Sequence, residues 1–178
     1  MYSKSTSGIL RLSMSKPSKT LLKEIYFSVS KEYNETPLST KHKWVHTPND
    51  YGLKELLILG KYIKEDMKIL DIGTGMGIAP RFAKKLNKNN TVISIDSYEA
   101  SGLSALENIK TAGIETHSVD ILKDKLPFEG NSIDLIFFGD VIEHLLHSPK
   151  PAIEEFYRVL KPSGYCIATT PNAVRLSA

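Results

Sequence analysis

From Lys68 onward, short apolar runs rich in Ile, Val and Phe alternate with helix-length stretches, and that alternation leaves few architectures open. Residues 68–72, 91–95, 115–119, 133–138 and 165–170 read as strands. Between them, 78–86, 99–111, 141–147 and 151–160 read as helices, with Pro80 tolerable in a first helical turn. Strands linked in this way pair in parallel through right-handed crossovers. The expectation is an α/β fold, an open and mostly parallel sheet with helices on both faces. Apolar runs such as 56–60 and 135–139 fall far below the roughly 20 residues that a membrane-spanning helix needs.

Charge divides the chain unevenly. Lys4, Arg11, Lys16, Lys19 and Lys23 precede the first acid, Glu24, so the formal charge of +3 reflects this segment alone. Serines are dense there as well. The sequence therefore divides into a basic Ser/Lys-rich arm, residues 1–40, with a short helix at 21–29, and a ligand-binding domain over 41–178. The arm has no apolar core of signal-peptide length, and its scarcity of Arg argues against a transit peptide. Sparse aromatic interleaving argues against nucleic acid as a partner. Cys166 is the single cysteine. That excludes an intrachain disulfide framework and a zinc-thiolate site, and favours a reducing, cytoplasmic location. Asn49 or Asp50 caps a further helix bearing Leu53, Leu56, Leu57 and Tyr62 on one face.

In a sheet of this kind, ligands bind beyond the carboxyl ends of the strands, where the strand order reverses. The first strand runs into Asp71-Ile72-Gly73-Thr74-Gly75-Met76-Gly77. Alternating glycines let the backbone turn tightly and approach a ligand with no Cβ in the way. The spacing is neither the Gly-x-Gly-x-x-Gly dinucleotide fingerprint nor a P-loop, which disfavours a nicotinamide-dependent oxidoreductase. A carboxylate at Asp71 would repel a pyrophosphate and attract an ammonium group. Asp96, after the second strand, suits the two vicinal hydroxyls of a ribose. Asp120, after the third, is placed to accept from an exocyclic amine. Jointly the three acids describe an adenosine with a cationic tail and no phosphates.

These segments resemble the motifs of class I S-adenosylmethionine-dependent methyltransferases. The likeness rests on residues 69–77, on Ile93-Ser94-Ile95-Asp96, and on Asp120 with Leu126-Pro127-Phe128. Residues 137–145 and Leu160-Lys161-Pro162-Ser163-Gly164 complete the set. The resemblance implies S-adenosyl-L-methionine as methyl donor. Its methionine part would lie on Asp71 and on the loop bearing Gly73, Thr74, Gly75 and Gly77. Asp96 would hold the ribose, Ser97 and Tyr98 would flank the adenine, and Asp120 and Ile121 would contact its edge and face. Gly139 and Asp140 would lie beside the sulfonium and the acceptor.

Asp140, Glu143, His144 and His147 share one stripe if 141–147 is helical. Three readings stay open for it: an active-site wall with His144 as general base, a divalent-metal site, or a polar helix face. Trp44, His46 and Tyr51 are candidates for a lid. The acceptor is expected to be a small molecule. Family members usually continue with a helix and two antiparallel strands, whereas this chain stops eight residues after the fifth strand. The fold is thus expected to be cut short there, leaving an edge that a second copy could cover. A noncatalytic S-adenosylmethionine-binding module, or a fragment of a longer methyltransferase, is the competing reading.

Overall fold

The computed structural model describes residues 16–35, 50–97 and 102–172 of the 178-residue chain. The candidate lid residues Trp44 and His46, the side chain of Tyr51, the adenine-flanking Tyr98 and the first 15 residues lie outside them.

Two helices come first, α1 (Lys19–Asn34) and α2 (Asp50–Gly60). The alternating unit follows: β1 (Lys68–Ile72), α3 (Ile78–Leu86), β2 (Thr91–Asp96), α4 (Gly102–Thr111), β3 (Glu115–Ser118), β4 (Ile133–Gly139), α5 (Lys150–Val159) and β5 (Leu160–Thr169). The five strands form one sheet in the order β3-β2-β1-β4-β5, every pair parallel. The chain therefore walks outward from β1 to β3, then returns to pair β4 on the other side of β1. That reversal opens a crevice above the carboxyl ends of β1 and β4.

Strand side chains alternate between faces, and the core splits accordingly. On one face Ile69, Val92, Leu135 and Phe137 pack with α1, α2, α3 and α4. On the other, Leu70, Ile72, Ile93, Ile95, Ile136 and Phe138 pack with Ala152, Phe156 and Val159 of α5. The short helix expected in a detached arm is 16 residues long and sends Leu22, Ile25, Tyr26 and Val29 into the first of these clusters. It is part of the domain's own core. Ser18 caps it, accepting the Leu21 N–H at 3.1 Å.

Two expectations need correction. Residues 141–147 form no α-helix; a single 3-10 turn, Ile142–His144, is followed by Leu145 in extended conformation. Asp140 enters that turn with a left-handed φ of 52°. Ser148 at its far end precedes Pro149, a position that disfavours helical backbone. A helix confined between them would be too short to offset its nucleation cost. β5 also starts earlier than its apolar residues suggest, because a register shift between Ile133 and Leu135 lets Leu160 pair with Ile133 before Tyr165 pairs with Leu135.

Candidate active site

The glycine loop joins β1 to α3 directly over the crevice. Gly73, Gly75 and Gly77 have φ of 72°, 51° and 81°, backbone that side chains with a Cβ rarely adopt. The Gly73 N–H donates to Ile95 O at 2.8 Å, and the Thr74 hydroxyl reaches Asp71 O and Ile95 O at 3.2 and 3.3 Å. The loop is thereby tied to β2. A Cβ on Gly73 would fall inside the Val141 side chain, and one on Gly77 would meet Ile109 Cγ1 at 2.6 Å. The exit of β4 thus packs on the loop that leaves β1.

Asp71 is 4% exposed, and its Oδ2 finds no hydrogen-bond partner among the described residues. Burial, opposed by a Thr74 hydrogen bond and reinforced by Asp96, raises its carboxyl to about 7. An acid at the floor of a glycine loop, raised by burial and with one oxygen unpartnered, is a candidate to meet a cationic group. Asp96 lies beside it and accepts the Gly75 N–H on Oδ2 at 2.8 Å. A carboxylate has further lone pairs, so sugar hydroxyls can still be received.

Other expected donor contacts are less free. Asp120 Oδ1 accepts the Leu122 N–H at 3.0 Å, and Oδ2 pairs with Lys123 Nζ at 2.5 Å. These partners, led by the Lys123 contact, hold its carboxyl below the ordinary range. Ser97 is exposed, its carbonyl accepting the Ser118 hydroxyl at 3.3 Å. Ile121 is half-buried against the α5-side core.

A family model described as a methyltransferase domain matches residues 70–168, more than half of the chain. The chain belongs to the class I S-adenosylmethionine-dependent methyltransferases. It is 29% identical over 155 residues to cycloartenol-C-24-methyltransferase 1 of Oryza sativa subsp. japonica, covering 80% of this chain and 43% of that protein. It is 34% identical over 133 residues to sterol methyltransferase-like 3 of Botryococcus braunii, covering 71% and 33%. This chain thus spans less than half the length of either relative. A crystal structure of a SAM dependent methyltransferase from Aquifex aeolicus superposes with a TM-score of 0.55 at 24% identity, covering 86% of this chain and 72% of that one, a likeness of fold.

Within this methyltransferase fold, the residues expected as an acceptor wall do not lie on one helix. The 3-10 turn and the extended Leu145 break the stripe, leaving Glu143, His144 and His147 exposed without a common helical face. No group of three His, Cys, Asp or Glu among the described residues is placed to hold a metal ion. What the structure brings together instead is Asp140 with Glu55 of α2. The Asp140 N–H donates to Thr169 O at 3.0 Å, the Thr169 hydroxyl donates to Glu55, and the Thr170 hydroxyl donates to Glu143 at 3.2 Å. Glu55 was missed in the sequence, although one signal was present: it lies four residues before the buried Leu59, on the flank of the apolar face. Tyr33 was missed too. Fully buried, it packs with Met76 of the glycine loop and Ala105 of α4. Two surface hollows, of about 410 and 420 Å3, lie elsewhere, at Leu126–Phe128 with Arg158 and between Leu22 and Leu57.

Proposed function

We propose that the protein transfers the methyl group of S-adenosylmethionine to a small-molecule acceptor. The observation that carries this reading is the buried, underbonded Asp71 beneath three left-handed glycines. That arrangement suits a cationic amino-acid tail, and the donor fits it. Asp71 and the backbone of Gly73, Thr74, Gly75 and Gly77 would hold the methionine part. Asp96 would take the ribose; Ser97, Tyr98, Asp120 and Ile121 would surround the adenine. For Asp120 to face the adenine amine, its Lys123 partner must swing away, which a solvent-exposed lysine does at little cost.

The donor supplies a methyl already activated by its sulfonium. The protein's share is alignment and exclusion of water. Gly139 and Asp140, at the end of β4, would lie beside the reacting carbon. Glu143 and His144 would form the acceptor wall, with His144 taking a proton from a hydroxyl acceptor. The names of several relatives favour a small acceptor, sterol methyltransferases and a ubiquinone/menaquinone biosynthesis C-methyltransferase among them, although a ribosomal protein L11 methyltransferase is also similar.

Calorimetric titration with S-adenosylhomocysteine, with NAD as the control, tests the donor site. Saturable one-to-one binding that Asp96→Ala abolishes is the expected result. A folded chain that binds NAD, or neither ligand, would refute the reading. A panel of sterols, quinols and amines, scored by release of demethylated donor, then identifies the acceptor.

A further inference from the structure

Three separate elements converge on Glu55. It projects from α2 and is hydrogen-bonded to Asp140 at the exit of β4 and to the Thr169 hydroxyl at the end of β5. Glu143, from the turn after β4, also bears on it. Burial comes first among the influences that raise its carboxyl to about 7, and the charges of Asp140 and Glu143 add to it against the pull of Thr169.

Two observations place this group at the donor and not merely on a flank of the fold. Val141, the residue after Asp140, fills the space that a Gly73 side chain would need, so the pair abuts the glycine loop. Asp71, two residues beyond Ile69 on β1, projects to the same face. That is the face on which Ile69 and Phe137 pack with Leu53, Leu56 and Leu59 of α2. Its buried, unbonded Oδ2 is thus an independent sign of a ligand on the α2 side of the crevice.

We propose that Glu55, hydrogen-bonded to Asp140, is the counter-ion of the donor's sulfonium, holding a proton before the donor binds and releasing it to solvent when the cation arrives. The inference rests on S-adenosylmethionine being the donor. In the binding step only a carboxyl O–H bond breaks, its proton passing to water or buffer; a positive charge leaves as the donor's arrives, so the local charge balance is kept. The neutral thioether left after transfer no longer offsets the Glu55 carboxylate, which takes its proton back. Glu55 is therefore a specificity residue that distinguishes charged donor from neutral product.

The test is calorimetric titration of the full chain at pH 7 with S-adenosylmethionine and, separately, S-adenosylhomocysteine, each in two buffers of different ionisation enthalpy. The two ligands share the amino-acid tail that faces Asp71, so its contribution cancels in the comparison. S-adenosylmethionine should release about half a proton more than S-adenosylhomocysteine, because a carboxyl near 7 is half protonated there. Glu55→Gln, which keeps the shape, should abolish that difference and weaken S-adenosylmethionine several-fold at pH 8 while leaving S-adenosylhomocysteine unchanged. Glu154→Gln, on the exposed side of α5, should alter neither. Equal proton release for the two ligands, or a difference that survives in Glu55→Gln, overturns the proposal. Binding of neither ligand removes the donor reading itself, and this inference with it.

Discussion

Replacing Gly73 by alanine separates two costs that usually travel together. The first is conformational: with φ of 72°, the new Cβ sits in left-handed backbone, worth about 1–2 kcal/mol. The second is steric, because the methyl would overlap Val141, whose Cγ1 and Cβ lie at 3.2 and 3.3 Å behind a closer Cγ2. Forcing an extra carbon into a packed contact adds about 1–3 kcal/mol. Gly113 supplies the reference, since its φ is 69° and a Cβ there would meet nothing within 4 Å. Any gain from stiffening the unfolded chain is common to both variants and cancels. Gly73→Ala should therefore unfold in urea with about 1–3 kcal/mol less stability than Gly113→Ala. At about 2–4 °C per kcal/mol for a chain of this size, it should melt roughly 2–12 °C lower. Adding Val141→Ala should restore part of the loss, giving a non-zero interaction energy in the double-mutant cycle. Coincident melting of the two single variants, or no rescue by Val141→Ala, would refute the packing of the β4 exit on the loop. Gly75→Ala, with φ of 51° and open space around it, should match Gly113→Ala in stability yet lose donor affinity.

Asp71 makes stability fall as pH rises: its folded carboxyl titrates near 7 and an unfolded one near 3.9, so the native state holds the extra proton between them. Between pH 5 and pH 8 this group should cost about 3 kcal/mol in urea unfolding, a loss that Asp71→Asn should remove while leaving the similar contribution of Glu55. Arg158 fastens the segment leading into β4, donating to Leu126 O at 2.9 Å, Phe128 O at 2.8 Å and Glu155 at 2.6 Å. Arg158→Ala should cost about 2 kcal/mol and speed amide exchange at Leu126, whose N–H is held by Glu155; Arg158→Lys, lacking the planar fork, should rescue little.

Much of the sheet was legible because burial on both faces writes a parallel strand as an apolar run. The bounds of β1 and α3 fall where the pattern places them, since Asp71-Ile72-Gly73 ends one and Gly77 opens the other. The segment after β4 was misread for a local reason. Val141, Ile142 and Leu145 carry helical spacing, but Asp140 leaves the strand in left-handed backbone and Ser148 precedes a proline. Within the site, Asp71 and Asp96 announce themselves by following strands. Glu55 does not, because its role depends on α2 being laid across the ends of β4 and β5, a tertiary fact that helical periodicity does not encode.

Tyr33 behind Met76 has a consequence for where this domain can be cut. The matched family region opens at residue 70. Leu22, Ile25, Tyr26, Val29, Leu53, Leu56 and Leu59 precede that point, and they supply much of the cover of one face of the sheet. An excised piece beginning at residue 70 would carry Asp71, Asp96 and Asp120 but not Glu55, while presenting Ile69's neighbours Leu135 and Phe137 to water. The region by which kinship is recognised is thus smaller than the unit that folds, and expression trials should be framed around α1.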